Sequence, residues 1–191
     1  MTKQAKKKRV SKADWLEKAL DVLEVDGINE VKIERLAREL NISKSGFYWH
    51  FKDRKDLIRT MIEYWGEEFT SVVTSNNAIL NASPKERIYL AMKMILEINL
   101  TRLELPMRFS AEKDPIAWEL LNRVYQIRLN FFRSALSEMG FEGEDLEMRI
   151  HLLTCYHTWE GVMFRDLPNN SRAKWMKLRL DLICSPPNET N

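Results

Sequence analysis

The residues best able to do chemistry lie between Ser43 and Lys55. Lys44, Ser45, Tyr48 and Trp49 fall on the face of a short helical stretch that its apolar residues leave free. An ammonium at Lys44 can donate to guanine, the Ser45 hydroxyl can reach a base or a phosphate, and the Trp49 ring can press on a thymine methyl. Tyr48 and His50 suit phosphate oxygens, which position a protein on a duplex without reading its sequence. Lys52, Arg54 and Lys55 add positive charge where the next helix begins. This is recognition chemistry. The sequence has no Gly-x-Ser-x-Gly turn, no Gly-rich phosphate loop and no His-Glu-x-x-His, so no enzyme is expected. His151, Cys155 and His157 are metal-ligating types, but His157 lies two residues past Cys155 and points elsewhere, and no acid completes the set. No metal or cofactor is expected.

A helix only two turns long must be held by its neighbours. Phe47 and Phe51, four apart, would anchor it on Leu36, Leu40 and Leu57. Ser11 with Asp14 three residues on forms a capping box, opening a helix that buries Trp15, Leu16, Ala19, Leu20 and Leu23 before Gly27 ends it. Ile33, Leu36, Ala37 and Leu40 mark a second short helix. Asn41 tolerates a left-handed turn, and Ser43 is expected to cap the third helix, which runs to about His50. Asp53 caps a longer fourth helix with Leu57, Met61, Trp65, Phe69 and Val72 on its inner face.

After the polar stretch 74–82, Ser83-Pro84-Lys85-Glu86 and Asp114-Pro115 place a cap and then a proline, the grammar of helix starts. Pro106 is expected to open a short helix over Met107–Ala111. The helix from Pro115 carries Trp118, Leu121, Tyr125, Leu129, Phe132 and Leu136 and stops at Gly140. Two more are expected, over Glu144–Asp166 and Ser171–Ile183, before a loose tail over 186–191. Strict apolar/polar alternation is absent, so the fold class is all-α.

Two short helices joined by a tight turn, the second rich in donors, describe a helix-turn-helix over about 32–51. The run Leu36-Ala37-Arg38-Glu39-Leu40-Asn41-Ile42-Ser43-Lys44-Ser45-Gly46-Phe47-Tyr48-Trp49-His50-Phe51, with Arg54 and Leu57, resembles the DNA-binding head of the tetracycline-repressor (TetR) family. The resemblance covers residues 9–69 and implies DNA contacts from Lys32, Ser43, Lys44, Ser45, Gly46, Tyr48, Trp49, His50, Lys52 and Arg54. It departs from the family pattern at Lys32, where a small capping Thr is usual, so a phosphate there would meet an ammonium. It departs again at Ser45-Gly46, where Gly-Thr is frequent, and at Arg54, where Lys is usual. These changes leave base preference unreadable.

The resemblance also implies a rear helical domain, residues 70–185, that binds a small effector and dimerises. The effector cavity is expected among Trp65, Met92, Asn99, Phe109, Trp118, Tyr125, His151 and Trp159, with apolar walls and few polar anchors. The helix Glu144–Asp166 carries two apolar stripes. One is Met148, Leu152, Cys155, Trp159 and Val162; the other is Ile150, Leu153, His157, Gly161 and Phe164. A surface helix of a monomer needs one such face, so the second implies a partner. The expected dimer interface is Met148, Leu152, Cys155 and Gly161 with Trp175, Leu178 and Leu182 of the last helix.

Charge divides the chain in the same way. Residues 1–60 hold 15 Lys/Arg against 10 Asp/Glu, a net of +5, while 61–191 carry a net of −3 behind an overall charge of only +2. A front that meets a polyanion and a rear that does not follow from this. Residues 1–8 read as a basic flexible arm able to track a DNA backbone. Cys155 and Cys184 make no disulfide framework, and no uncharged run approaches a membrane span, so a soluble cytoplasmic protein is expected. Basic membrane-binding helices set Lys opposite a broad apolar face; here the cations cluster around the helix-turn-helix. The expected protein is a homodimeric repressor that releases a palindromic operator when a small, largely apolar effector binds, with no membrane partner.

Overall fold

The computed structural model describes residues 10–164 and 166–186, and the regular elements among them are all helical, as the all-α reading expects. The basic arm over 1–8 and the tail beyond Pro186 lie outside the described residues. The helices are α1 (Lys12–Asp26), α2 (Ile33–Glu39), α3 (Arg54–Thr74), α4 (Asn77–Leu80), α5 (Pro84–Glu97), α6 (Glu104–Ala111), α7 (Pro115–Glu138), α8 (Gly143–Met163) and α9 (Asn169–Cys184). Short 3-10 turns occupy Ile28–Glu30, Lys44–Trp49 and Leu100–Leu103.

The chain divides into two compact units. The first comprises the residues up to Tyr64 together with Leu105–Leu120; the second comprises Trp65–Glu104 and the residues from Leu121 onward. In the first, the capping box closes as read: Ser11 Oγ accepts from the Asp14 N–H at 3.2 Å and the Asp14 carboxylate accepts from the Ser11 N–H at 2.6 Å. Trp15, Leu16, Ala19, Leu20 and Leu23 are buried, and Gly27 leaves the helix at φ +80°, where a side chain would be strained. Arg59 of α3 grips Asp114 through two hydrogen bonds of 2.8 and 3.0 Å. Asp114 also accepts from the Ile116 N–H, so one carboxylate both caps α7 and receives the guanidinium, which holds its pKa down.

The second unit has its own core. Ile88, Ala91 and Met92 of α5, Phe132, Ala135 and Leu136 of α7, Ile150 and Leu153 of α8, and Met176, Leu180 and Ile183 of α9 are buried together. Gly66, buried on α3, lies against Val124 of α7 where a Cβ would collide with the valine methyl. Arg149 of α8 donates to the carbonyls of Ile183 and Ser185 at 2.6 and 2.8 Å, satisfying the open end of α9.

Several expected boundaries move. The polar stretch 74–82 contains α4, capped by Asn76, whose side chain accepts from the Ala78 and Ile79 N–H groups. One turn is too short to display a period in sequence. α6 starts at Glu104 with Pro106 in its first turn, where the missing N–H has no intrahelical role. Val72 is exposed and Val73 buried, because the helical period drifts along α3. α8 ends at Met163, three residues short of Asp166, and α9 begins at Asn169 rather than Ser171. Ser43 stands at the start of its helix but its hydroxyl makes no cap; it pairs with Ser45 Oγ at 2.7 Å.

Candidate nucleic-acid interface and internal cavity

The first unit displays an aromatic and cationic face on a rigid mount. Asn41 adopts the left-handed conformation (φ +54°), and the Ile42 N–H reaches back to the Ala37 carbonyl at 3.0 Å, closing α2 and fixing the turn. The 3-10 helix Lys44–Trp49 then packs inward through Phe47, fully buried, with its ring edge-on to Trp15 at 5.3 Å and 5.0 Å from the buried Phe51. Leu36 and Leu57 are buried with them, and Leu40 is half-buried. What remains faces outward. Tyr48 is 62% exposed and Trp49 79%, and Lys44, Ser45, Ser43 and Lys52 are exposed beside them. Large aromatics are seldom left so open without something to meet.

The cations on this face are not equally available. Lys44 Nζ sits 2.7 Å from Glu34 Oε1, which holds the Glu34 pKa down, and Lys32 Nζ sits 2.8 Å from Glu30 Oε1. Arg54 turns inward: its Nε donates to the Val31 carbonyl at 2.7 Å and an Nη donates to the Ile28 carbonyl, tying the start of α3 to the loop before α2. His50 is half-buried next to Phe51. Gly46 is half-buried, and a Cβ there would come 3.3 Å from Ile42 Cδ1, so little room exists for the Thr that often follows in the resembled pattern.

The second unit encloses a cavity of about 70 Å³. Phe69, Thr70, Val73 and Thr74 of α3 form one wall, and Tyr125, Arg128, Phe131 and Phe132 of α7 another. Ile95, Leu100, Thr101 and Glu104 close it on one side and Thr154, His157 and Thr158 of α8 on the other. Arg128 pairs with Glu104, donates to Thr70 Oγ1 at 3.1 Å, and stacks its guanidinium 4.5 Å from the Trp65 ring. Glu104 is only 3% exposed, and burial pushes its carboxyl upward against the pull of Arg128. Burial and the nearby Arg179 lower the His157 pKa to about 3, so its imidazole is neutral.

Residues 16–61 match the family model of bacterial regulatory proteins of the tetR family. That segment contains α1, α2, the turn and the aromatic face. The head belongs to the tetR family of bacterial regulatory proteins. A search of curated proteins finds no match. Among solved structures, FadR of Bacillus subtilis in complex with stearoyl-CoA is similar over 92% of this chain and 98% of its own, at 17% identity and a TM-score of 0.72. FadR of Bacillus halodurans, a fatty acid degradation regulator, covers 92% and 98% at 15% identity and TM-score 0.70. A TetR-family regulator from Rhodococcus sp. covers 91% and 98% at 14% identity and TM-score 0.71. At these identities the likeness establishes the fold: a tetR-type head followed by a helical domain.

The expected cavity residues scatter. Tyr125 lines the cavity. Trp65 and Met92 are wholly buried, while Asn99, His151 and Trp159 are exposed. Phe109 and Trp118 belong to the first unit, where Phe109 is exposed and Arg108 lies 5.0 Å over the Trp118 ring. The polar members of the cavity were not anticipated. Glu104 and Arg128 meet from different helices and share no spacing; His157 did carry a signal, since it falls on the stripe of α8 that turns inward.

The two stripes of α8 separate along the helix, except that Phe164, expected on the stripe with Ile150, is exposed at the C-terminal cap. Ile150, Leu153 and His157 are buried, while Met148, Leu152, Cys155, Trp159 and Met163 are exposed. α9 adds Trp175, Leu178 and Leu182, all exposed, the last by 72%. Gly161 falls within α8, and its surroundings lie outside the described residues.

Proposed function

We propose that the chain is a homodimeric repressor that grips one operator half-site with each tetR head and releases it when a small effector enters the cavity of the second unit. The observation that carries the reading is the outward pair Tyr48–Trp49 on a helix anchored by Phe47 and Phe51, with Lys44 and Ser45 beside it. Lys44, Ser45 and Trp49 read base edges; Tyr48, His50, Lys52 and Lys32 hold phosphates; Ser43 and Gly46 let the backbone come close. Arg54 acts mainly by fixing the head, through the carbonyls of Ile28 and Val31.

In this reading residues 9–69 form the DNA-binding domain and 70–185 the effector and dimerisation domain, in the cytoplasm. The exposed apolar stripe of α8 with Trp175, Leu178 and Leu182 is the dimer face, whose two-fold axis a palindromic operator would mirror. Stearoyl-CoA in the Bacillus subtilis FadR structure supports a ligand role for a domain of this fold. Effector binding favours a state that fits the operator less well, and release is bounded by that difference in affinity.

A mobility shift of the full chain on DNA flanking its own gene, repeated across salt concentrations, tests the reading. Sequence-selective binding that weakens steeply with salt is expected. Equal binding to all duplexes, or capture by anionic vesicles without DNA selectivity, would refute it.

A further inference from the structure

The guanidinium in the described lining of the cavity is already matched. Arg128, the guanidinium among the described lining residues, is paired with Glu104 and Thr70. Arg179, which is not among the lining residues, lies 3.9 Å from Glu160 and 3.7 Å over the Tyr156 ring, while its Nε and one Nη are buried without a hydrogen-bond partner. An anion entering the cavity would shed its hydration and find a carboxylate rather than a free cation.

Other polar atoms of the lining, by contrast, are unmatched. His157 Nε2 and Thr154 Oγ1 are buried without a hydrogen-bond partner, and so is one oxygen of Glu104. Native proteins rarely leave such atoms unsatisfied, and three in the lining of one cavity mark where a ligand completes the bonding. A neutral imidazole beside a hydroxyl provides both a donor and an acceptor, which an alcohol or an amide uses and a carboxylate cannot use fully. Phe69, Val73 and Phe132 supply apolar wall. By the space one water requires, the cavity holds about five waters, so the ligand is small.

We propose that the cavity takes a small uncharged amphiphile, with a hydroxyl or amide head bonded to His157 and Thr154 and a short hydrocarbon tail against the aromatic wall. The inference rests on the cavity being the effector site and names the class of effector.

The protein has three histidines, so the His157 side-chain nitrogens can be followed by NMR and assigned by their loss in His157→Gln. The full chain is titrated at pH 7 with hexan-1-ol, hexanamide and hexanoate. The alcohol and the amide are expected to move the His157 resonances saturably, with apparent Kd at least tenfold below that of hexanoate. Thr154→Val is expected to weaken both several-fold without lowering the melting temperature. Hexanoate binding as tightly as hexan-1-ol, or an unchanged Kd in Thr154→Val, overturns the neutral head while leaving the cavity a ligand site. No saturable shift from any probe overturns the inference and the effector role of the cavity together; the DNA-binding reading stands or falls separately on the mobility shift.

Discussion

Lys44 Nζ and Glu34 Oε1 meet at 2.7 Å, so the cation to which the proposed function gives a base is paired with an acid of the preceding helix. Both side chains are exposed, and such a pair adds little to folding. In the proposed function its effect falls on binding: DNA would have to displace Glu34 before Lys44 could donate to a base, and Glu34 would repel phosphates meanwhile. Glu34→Gln is expected to tighten binding to random duplex by about two- to five-fold and to narrow the gap between operator and random DNA. Fluorescence anisotropy on the two duplexes measures both, and identical affinities for wild type and variant would make the pair incidental.

Base reading and phosphate holding predict different mutant behaviour. Lys44→Ala should cost about 1–3 kcal/mol on the operator and relax preference at one position. Tyr48→Phe, which removes only a hydroxyl from a ring that is mostly exposed, should weaken binding evenly across sequences. Binding to a panel of single-base operator variants distinguishes them. If the two mutants give the same profile, the recognition helix is misassigned.

Gly66 tests the packing of the second unit. A Cβ at this position would run into Val124 Cγ2 across the α3–α7 contact. Gly66→Ala should therefore destabilise by about 1–3 kcal/mol in spite of alanine's better helix propensity. Adding Val124→Ala should restore part of the loss, because the collision is with that side chain. Chemical denaturation of the two single mutants and the double mutant decides it; strictly additive losses would place the strain elsewhere.

The contrast between head and cavity shows what a sequence displays. Phe47, Phe51, Leu36 and Leu57 lie within 22 residues, so helical spacing and the Asn41 turn reveal their meeting. The outward Tyr48 and Trp49 follow once the inward positions are filled. The cavity is different in kind. Glu104, Arg128 and Thr70 come together from α6, α7 and α3, and nothing local ties an acid at 104 to an arginine at 128. Aromatics at helical spacing also cannot be sorted into wall and core from sequence: Phe69 and Phe132 line the space, whereas Trp65 is buried under Arg128. Arg54, expected among the DNA contacts from the resemblance, shows another limit, because its donors satisfy the carbonyls of Val31 and Ile28, which no local spacing announces.

The exposed stripe of α8 and α9 predicts assembly. Leu152, Leu178 and Leu182 would be left in water in a monomer. Leu178→Asp places a charge in the centre of the proposed isologous face, once per protomer, and should raise the dimer dissociation constant by at least a hundredfold. Sedimentation at micromolar concentration should show the wild type as a dimer and the variant as a folded monomer. A monomeric wild type would remove this face from the proposal.

The buried His157 should leave a mark on stability against pH. Its folded pKa is about 3, through burial and the charge of Arg179, while an unfolded histidine titrates near 6.5. Between those values the unfolded chain binds a proton that the folded chain refuses. Stability from keeping this imidazole neutral is therefore complete above about pH 6.5 and is lost as pH falls toward 3, at up to about 1.4 kcal/mol per unit. Asp114, Glu138 and Glu147, whose pKa values are lowered chiefly by hydrogen bonds from Arg59, Arg87 and Arg133, also lose stability on acidification. Their contribution belongs to the carboxylate range and is common to wild type and variant, so the comparison isolates the histidine. His157→Gln keeps a polar side chain that cannot take the proton, and its stability should decline less steeply than wild type between pH 6.5 and 4.5. Urea denaturation at half-unit steps of pH reads the two slopes. Parallel curves would mean that the imidazole either reaches water or gains its proton in the fold, and the neutral histidine in the cavity wall would have to be given up.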